Sequence, residues 1–432
     1  MKTSICATGD SIMMNPLPPD YKGFEQLRNF IGNADVRTNN LEMVLSDYDC
    51  FASSFCGGTW LTGPTEMLDK IMEFGFNYFS IANNHTMDYS YDGLASTLRV
   101  LEKKKVAYSG AGNDLSQASK PAVLKTNSGT VGLISICATN DDAARAGTKG
   151  KVFPGRPGLN PLRHNEVYHV NASHLQALKE IASNTCINGR IDNSKKGGYT
   201  PEKPGLFSLG TIDFMEDEKE GKASFPNKID MERTERGIRD ARADVDYVVV
   251  LVHSHEIKGL TDDEPDYFLE EFCHRCIDSG AAAVIGGGTH QLKAVELYKN
   301  CPIFYSIGNF IFQTESMHHM PTDYYEKYGI PLEYTAQEAL AVRSANHTRG
   351  LHCDYRNFRS IMPFMEFEDG TLTRLVLAPL ELGFEAPRHL EGYPSLADEN
   401  VSREILDRLT VLSGPYGTKL AMENGLISVE LS

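Results

Sequence analysis

The sequence predicts an α/β fold, on three observations. Short apolar strands alternate with helical patterns through the first half of the chain, and the alternation resumes after about residue 227. Several of these strands stop in turns rich in Gly, Asn, Asp or His, and a helix often follows. No internal repeat or low-complexity segment interrupts the pattern.

Taken in order, Thr3–Thr8 reads as an apolar strand ending in Gly9-Asp10. Leu27, Phe30 and Ile31 mark a helix, and Thr38 to Glu42 reads as a turn after it. Met67, Leu68 and Ile71 share one helical face, stopped by Gly75. Phe76–Ala82 is the next strand and ends at Asn83-Asn84-His85, with Leu94, Leu98 and Leu101 at helical spacing beyond it. Ala122–Thr126 and Thr130–Ala138 form a hairpin around Asn127-Ser128-Gly129. Residues 139–227 are the least patterned and read as an insertion with one helix near Ser173–Ala182. Tyr247–Val252 is a strongly apolar strand ending in His253-Ser254-His255-Glu256. A helix over about 265–278 precedes the buried strand Ala281–Ile285, which ends in Gly286-Gly287-Gly288-Thr289-His290. We divide the chain into a core over 1–320, with the insertion at 139–227, and a C-terminal extension over 321–432 that packs on it.

Composition narrows the function. The chain has 432 residues, with 42 Lys+Arg against 58 Asp+Glu, a net charge of −16. So acidic a surface repels phosphate backbones, which argues against nucleic acid and anionic membrane as partners. Nine cysteines without a disulfide framework suit a reducing compartment. Cys273 and Cys276 read as two thiols on a core-facing helix rather than half of a metal site. Gly9-Asp10 comes too early for a signal peptide, and no apolar run approaches the ~20 residues of a membrane helix. The expectation is a soluble, cytoplasmic chain whose partner is a small-molecule or peptide substrate, with homo-oligomerisation left open.

Carboxyl ends of strands gather on one rim of an α/β sheet. Asp10, Asn84, His85, His253, His255 and His290 are therefore expected around one crevice, with Glu42 able to join them. Each alone could be a turn or capping residue. Histidines at three strand ends are not a turn requirement, and Asp, Glu, Asn and His are the donors of a two-metal hydrolase.

The same residues carry a resemblance. Gly9-Asp10, Asn40-Leu41-Glu42, the run Asn83-Asn84-His85-Thr86-Met87-Asp88, the His253 segment, Thr289-His290 and the run Tyr305-Ser306-Ile307-Gly308-Asn309-Phe310 resemble the motifs of the CapA-type family of poly-gamma-glutamate capsule synthesis. The segment Gly155-Arg156-Pro157-Gly158 and the tail 409–418 look like further parts of it. The resemblance implies a calcineurin-like metallophosphatase fold, a four-layer α/β/β/α sandwich with an inserted segment. It also implies metal-assisted hydrolysis or transfer with divalent Mn, Zn or Fe. Carried over by position, Asp10, Glu42, Asn84, His253 and His290 match metal ligands, and His85 matches the histidine that assists a leaving group. Asn40, Asn83, His255, Glu256, Asn309 and Arg156 are expected to face substrate.

Two departures bear on the chemistry. Ile12 stands where metallophosphatases generally have the histidine of Asp-x-His, and Gly287 and Gly288 stand where the family usually has a histidine. His255, two residues beyond His253, lies on the same face of a continuing strand and is the candidate substitute. Three readings follow. The first is a metal-dependent hydrolase of phosphoesters or of glutamyl or peptide amides, with His85 as general acid. The second is a metal-free peptide epimerase that moves a Cα proton between Asp10 and His290. The third is a non-catalytic accessory protein of polymer synthesis.

Overall fold

The computed structural model describes residues 2–431 and is mixed α/β with several sheets. The largest sheet has ten strands and is built around Lys2–Ile12. That strand pairs in parallel with Val36–Leu41 and Asn309–Phe312, and antiparallel with Arg359–Glu368. A second sheet of six strands runs, in spatial order, through 295–298, 301–304, 283–288, 247–254, 129–137 and 122–126. Its centre is Tyr247–Ser254, buried at every position, which is why that strand reads as a continuous apolar run rather than an alternating one.

Three apolar clusters hold these elements together. One joins Ile5 and Ala7 of the ten-stranded sheet to Val249, Leu251 and Ile285 of the six-stranded sheet. Another seats Leu27, Ile31, Leu68 and Leu98, all on helices, against Cys6, Phe79 and Phe310. The third seats Met231, Ile238, Phe268 and Phe272 against Val248, Val250 and Val284. Cys273 and Cys276 are free thiols, fully buried on the helix Tyr267–Asp278, as the sequence suggested.

Local structure departs from expectation in two places. Val36–Leu41 is a strand, not a turn, so Glu42 sits at a strand end like its partners. Residues 139–227 carry more than one helix: a four-stranded sheet (164–170, 207–209, 212–216 and 221–226) stands there with helices Ala172–Thr185 and Gly189–Lys196. The chain beyond 320 supplies strands Arg359–Glu368 and Thr371–Glu381, which extend the ten-stranded sheet directly from Lys2–Ile12. Among the described residues, no helix is long and apolar enough to cross a membrane.

Candidate functional site

The parallel registers place the polar residues together. Asp10 lies opposite Asn40 and Asn309, and His253 lies opposite Gly287 in the second sheet. Asn84 and His85 follow the strand Tyr78–Ser80, and His290 follows Ala283–Gly288 in a left-handed conformation, φ +61°. Ligand atoms of Asp10, Glu42 and His253 lie within 4.8 Å of one another, as do those of Glu42, His255 and His290. Glu42 belongs to both groups.

Each donor is oriented by a neighbour. Asn40 Nδ2 donates to Asp10 Oδ1 at 2.7 Å, and the Gly288 amide donates to Oδ2 at 3.1 Å. Asn309 Nδ2 donates to the Asn357 carbonyl, so its Oδ1 is the acceptor toward His290 Nδ1 at 2.8 Å. That contact places the His290 proton on Nδ1 and leaves Nε2 with its lone pair. Asn84 Nδ2 donates to the Gly57 carbonyl, which turns Oδ1 toward His253 Nε2 at 2.8 Å. Asn83 donates to the Leu41 carbonyl at 2.8 Å and accepts the His85 amide, tying the two loops together.

Glu42 is the exception. It is fully buried, and neither carboxylate oxygen has a hydrogen-bond donor. His253 Nε2 and His85 Nε2 stand 3.4 and 4.0 Å from Oε1, and His290 Nδ1 stands 3.9 Å from Oε2. Gly287 lies against the same centre: a Cβ there would sit 2.9 Å from Asp10 Oδ1. Gly288 has φ +115°, and a Cβ there would meet the Ser254 carbonyl at 2.7 Å.

The profile of the bacterial capsule synthesis protein family PGA_cap matches residues 4–314. The chain belongs to this family. Among relatives of this PGA_cap chain, the uncharacterized protein y4sH of Sinorhizobium fredii is 30% identical over 98% of the chain and 92% of its own length. The capsule biosynthesis protein CapA of Bacillus anthracis is 22% identical over 72% of the chain and 60% of its own length. The PGA biosynthesis protein CapA of Bacillus subtilis is 23% identical over 57% of the chain and 45% of its own length.

Burial, and then the charge of Asp10, push the Glu42 carboxyl of this PGA_cap site up to about 8. Burial holds His253 down despite the nearby charge of Asp10, and holds His255 far down with help from its neighbouring histidines. Burial also works against the His85 cation, but the charge of Asp88, its hydrogen bond at 2.6 Å and Glu42 outweigh it, and the net shift is upward. Asp88 is the residue of this cluster that sequence reasoning passed over. It accepts the Gly57 and Leu61 amides and holds His85 Nδ1, and its position three residues after His85 was the available signal.

The remaining expected residues divide. His255 closes on His253 at 3.3 Å, while both carboxylate oxygens of Glu256 accept from the Thr139 hydroxyl and Oε2 also accepts from that of Ser254. Arg156 is exposed and donates to the Arg145 carbonyl, and it is not among the residues brought together here. A cavity of about 310 Å³ opens over His85, His255 and His290, walled by Thr59, Glu315 and Arg343.

Proposed function

We propose that this PGA_cap protein is a metal-assisted hydrolase or transferase for a phosphoester or a glutamyl or peptide-type substrate, built on the four-layer metallophosphatase arrangement that its resemblance implies. The observation that carries the reading is Glu42: a buried carboxylate with no donor, facing three imidazoles and Asp10. Burying a charge without a partner is costly, and a divalent cation among such donors removes that cost. Asp10, Glu42, Asn84, His253 and His290 would hold it, with His255 available where the glycines stand, and the shared Glu42 suits a pair of ions. Mn, Zn or Fe fits this oxygen and imidazole set. Bound metal would supply Lewis-acid polarisation of the scissile group.

The chain's own groups supply the rest. His85, aimed by Asp88, is placed to give a proton to the leaving atom. Asn309 fixes the His290 tautomer and Asn40 fixes Asp10. The cavity over the histidines falls within the size range of a small-molecule or peptide-tip site. The names of the Bacillus relatives support a role in poly-gamma-glutamate capsule synthesis, and nine unpaired cysteines support a reducing, cytoplasmic setting.

The epimerase reading needs Asp10 and His290 on opposite sides of a substrate carbon. Asp10 Oδ2 and His290 Nδ1 are 3.7 Å apart, which leaves no room for a carbon between those two atoms, so that reading would have to run through His290 Nε2. The deciding experiment is metal analysis of protein purified without chelator, with Asp10→Ala and His253→Ala beside it. One to two Mn, Zn or Fe ions per chain, falling in both variants, is the expected result. Metal-free protein that stays active and places solvent deuterium at a product Cα would replace the first reading with the second.

A further inference from the structure

A second group of donors stands apart from the strand-end site. Glu315, His347 and His352 bring a carboxylate oxygen and two imidazole nitrogens within 4.8 Å of one another. His347 Nδ1 lies 3.5 Å from Glu315 Oε2, and His352 Nδ1 lies 3.3 Å from Oε1. Ligands about 2.1 Å from a tetrahedral zinc are separated by roughly 3.4 Å; the His347–Oε2 distance already matches that, and the whole set lies within 4.8 Å.

Hydrogen bonding leaves the same atoms unused. Glu315 is 8% exposed, and its Oε2 has no donor; His352 Nδ1 is likewise buried without a partner. Arg343 Nη2 holds Oε1 at 2.7 Å, which fixes the carboxylate and leaves Oε2 free. The other ring nitrogen of His352 faces Cys353 Sγ at 3.3 Å, an acceptor for an Nε2 proton when Nδ1 carries a metal. The chain takes an unfavourable path to bring His347 here. After the helix Ala336–Arg343, residues Ala345, Asn346 and His347 all have positive φ, between +51° and +61°.

We propose that Glu315 Oε2, His347 and His352 bind one zinc ion, independently of the strand-end site. One carboxylate and two imidazoles leave an open position, a borderline-soft set that suits zinc over calcium or magnesium. The site lies in the wall of the substrate cavity, because Glu315, Arg343 and Leu351 all line it. Zinc there fastens the segment 344–353 to Glu315 and so sets the width of the cavity mouth.

The test uses the full chain carrying Glu42→Gln and His253→Ala, which takes a donor from both strand-end groups because Glu42 belongs to each, so failure of the metal-hydrolase reading leaves this count untouched. After dialysis against micromolar zinc, the expected result is one zinc per chain, falling at least tenfold with either His347→Gln or His352→Gln. Zinc should also slow hydrogen exchange across 344–353. If the double variant is insoluble, the otherwise unaltered chain should lose one equivalent of zinc with His347→Gln, a change on a partly exposed loop that leaves the core intact. No zinc in the double variant, or zinc indifferent to both histidines, overturns the proposal.

Discussion

Glu42 sits where a carboxylate is least comfortable without a cation. Replacing it with Gln keeps the shape and removes the cost of burying, or protonating, a carboxylate that burial and Asp10 push up to about 8. We expect Glu42→Gln to be about 1–3 kcal/mol more stable than the parent in metal-free urea unfolding, yet to bind metal at least ~10-fold more weakly. A less stable metal-free variant would show that the imidazoles alone satisfy the carboxylate. The two glycines act differently from each other. Gly287→Ala places a methyl 2.9 Å from Asp10 Oδ1 and should reduce metal occupancy with little loss of fold. Gly288→Ala forces a side chain onto φ +115° and against the Ser254 carbonyl, and should lower stability by about 1–3 kcal/mol. A histidine at 288 is therefore a poor way to add a donor, whereas a Cβ at 287 would point at Asp10.

At the level of elements, the readable strands were those whose both faces meet apolar layers. Tyr247–Ser254 and Ala283–Gly288 announced themselves as apolar runs with polar ends, and their ends supplied His253 and His290. Val36–Leu41 did not, because its buried residues include Thr38, Asn39 and Asn40, and the amides of Asn39 and Asn40 hydrogen-bond inside the protein rather than to solvent. Glu42 was thus found by residue type and misplaced by local structure. The four-stranded sheet in 164–226 was invisible for another reason: its strands are mostly half-buried and short, so no apolar period develops. Part of its attachment is electrostatic. Asp230, buried on the helix Lys228–Arg242, accepts the Arg163 backbone amide at 2.9 Å and the Arg163 guanidinium at 2.8 and 2.9 Å, and it pairs with Arg233. Burial alone would raise this carboxyl, but the two arginines hold it below the usual range. Its ionised form therefore contributes stability above the unfolded carboxyl's pKa near ~4, and that contribution is lost as pH falls through the lower native value. Asp230→Asn should cost about 3 kcal/mol at neutral pH. The deficit should narrow below about pH 4, where the parent also loses its charge. A deficit that is constant down to pH 2 would exclude the ion pairs as its cause.

For the whole molecule, the ten-stranded sheet depends on residues from both ends of the sequence. Ile361, Met365, Phe367 and Leu377 fill the same cluster as Ile5 and Ala7. A chain ending at residue 320 leaves Lys2–Cys6 as an open edge above an unfilled cluster, and we expect it to aggregate on expression. Recovery of a soluble monomer by sedimentation would show that the first 320 residues close their own core. The pairing of Lys2 with Glu368 and Cys6 with Phe364 also sets a schedule. Ribosomes add about 5–20 residues per second, so the strand that carries Asp10 emerges on the order of 20–70 s before its antiparallel neighbour exists. Through that interval the nascent chain holds the first strand of the polar site with one flank unzipped. Premature termination anywhere before the last third yields no half-formed site on a stable fold, only a client for chaperones.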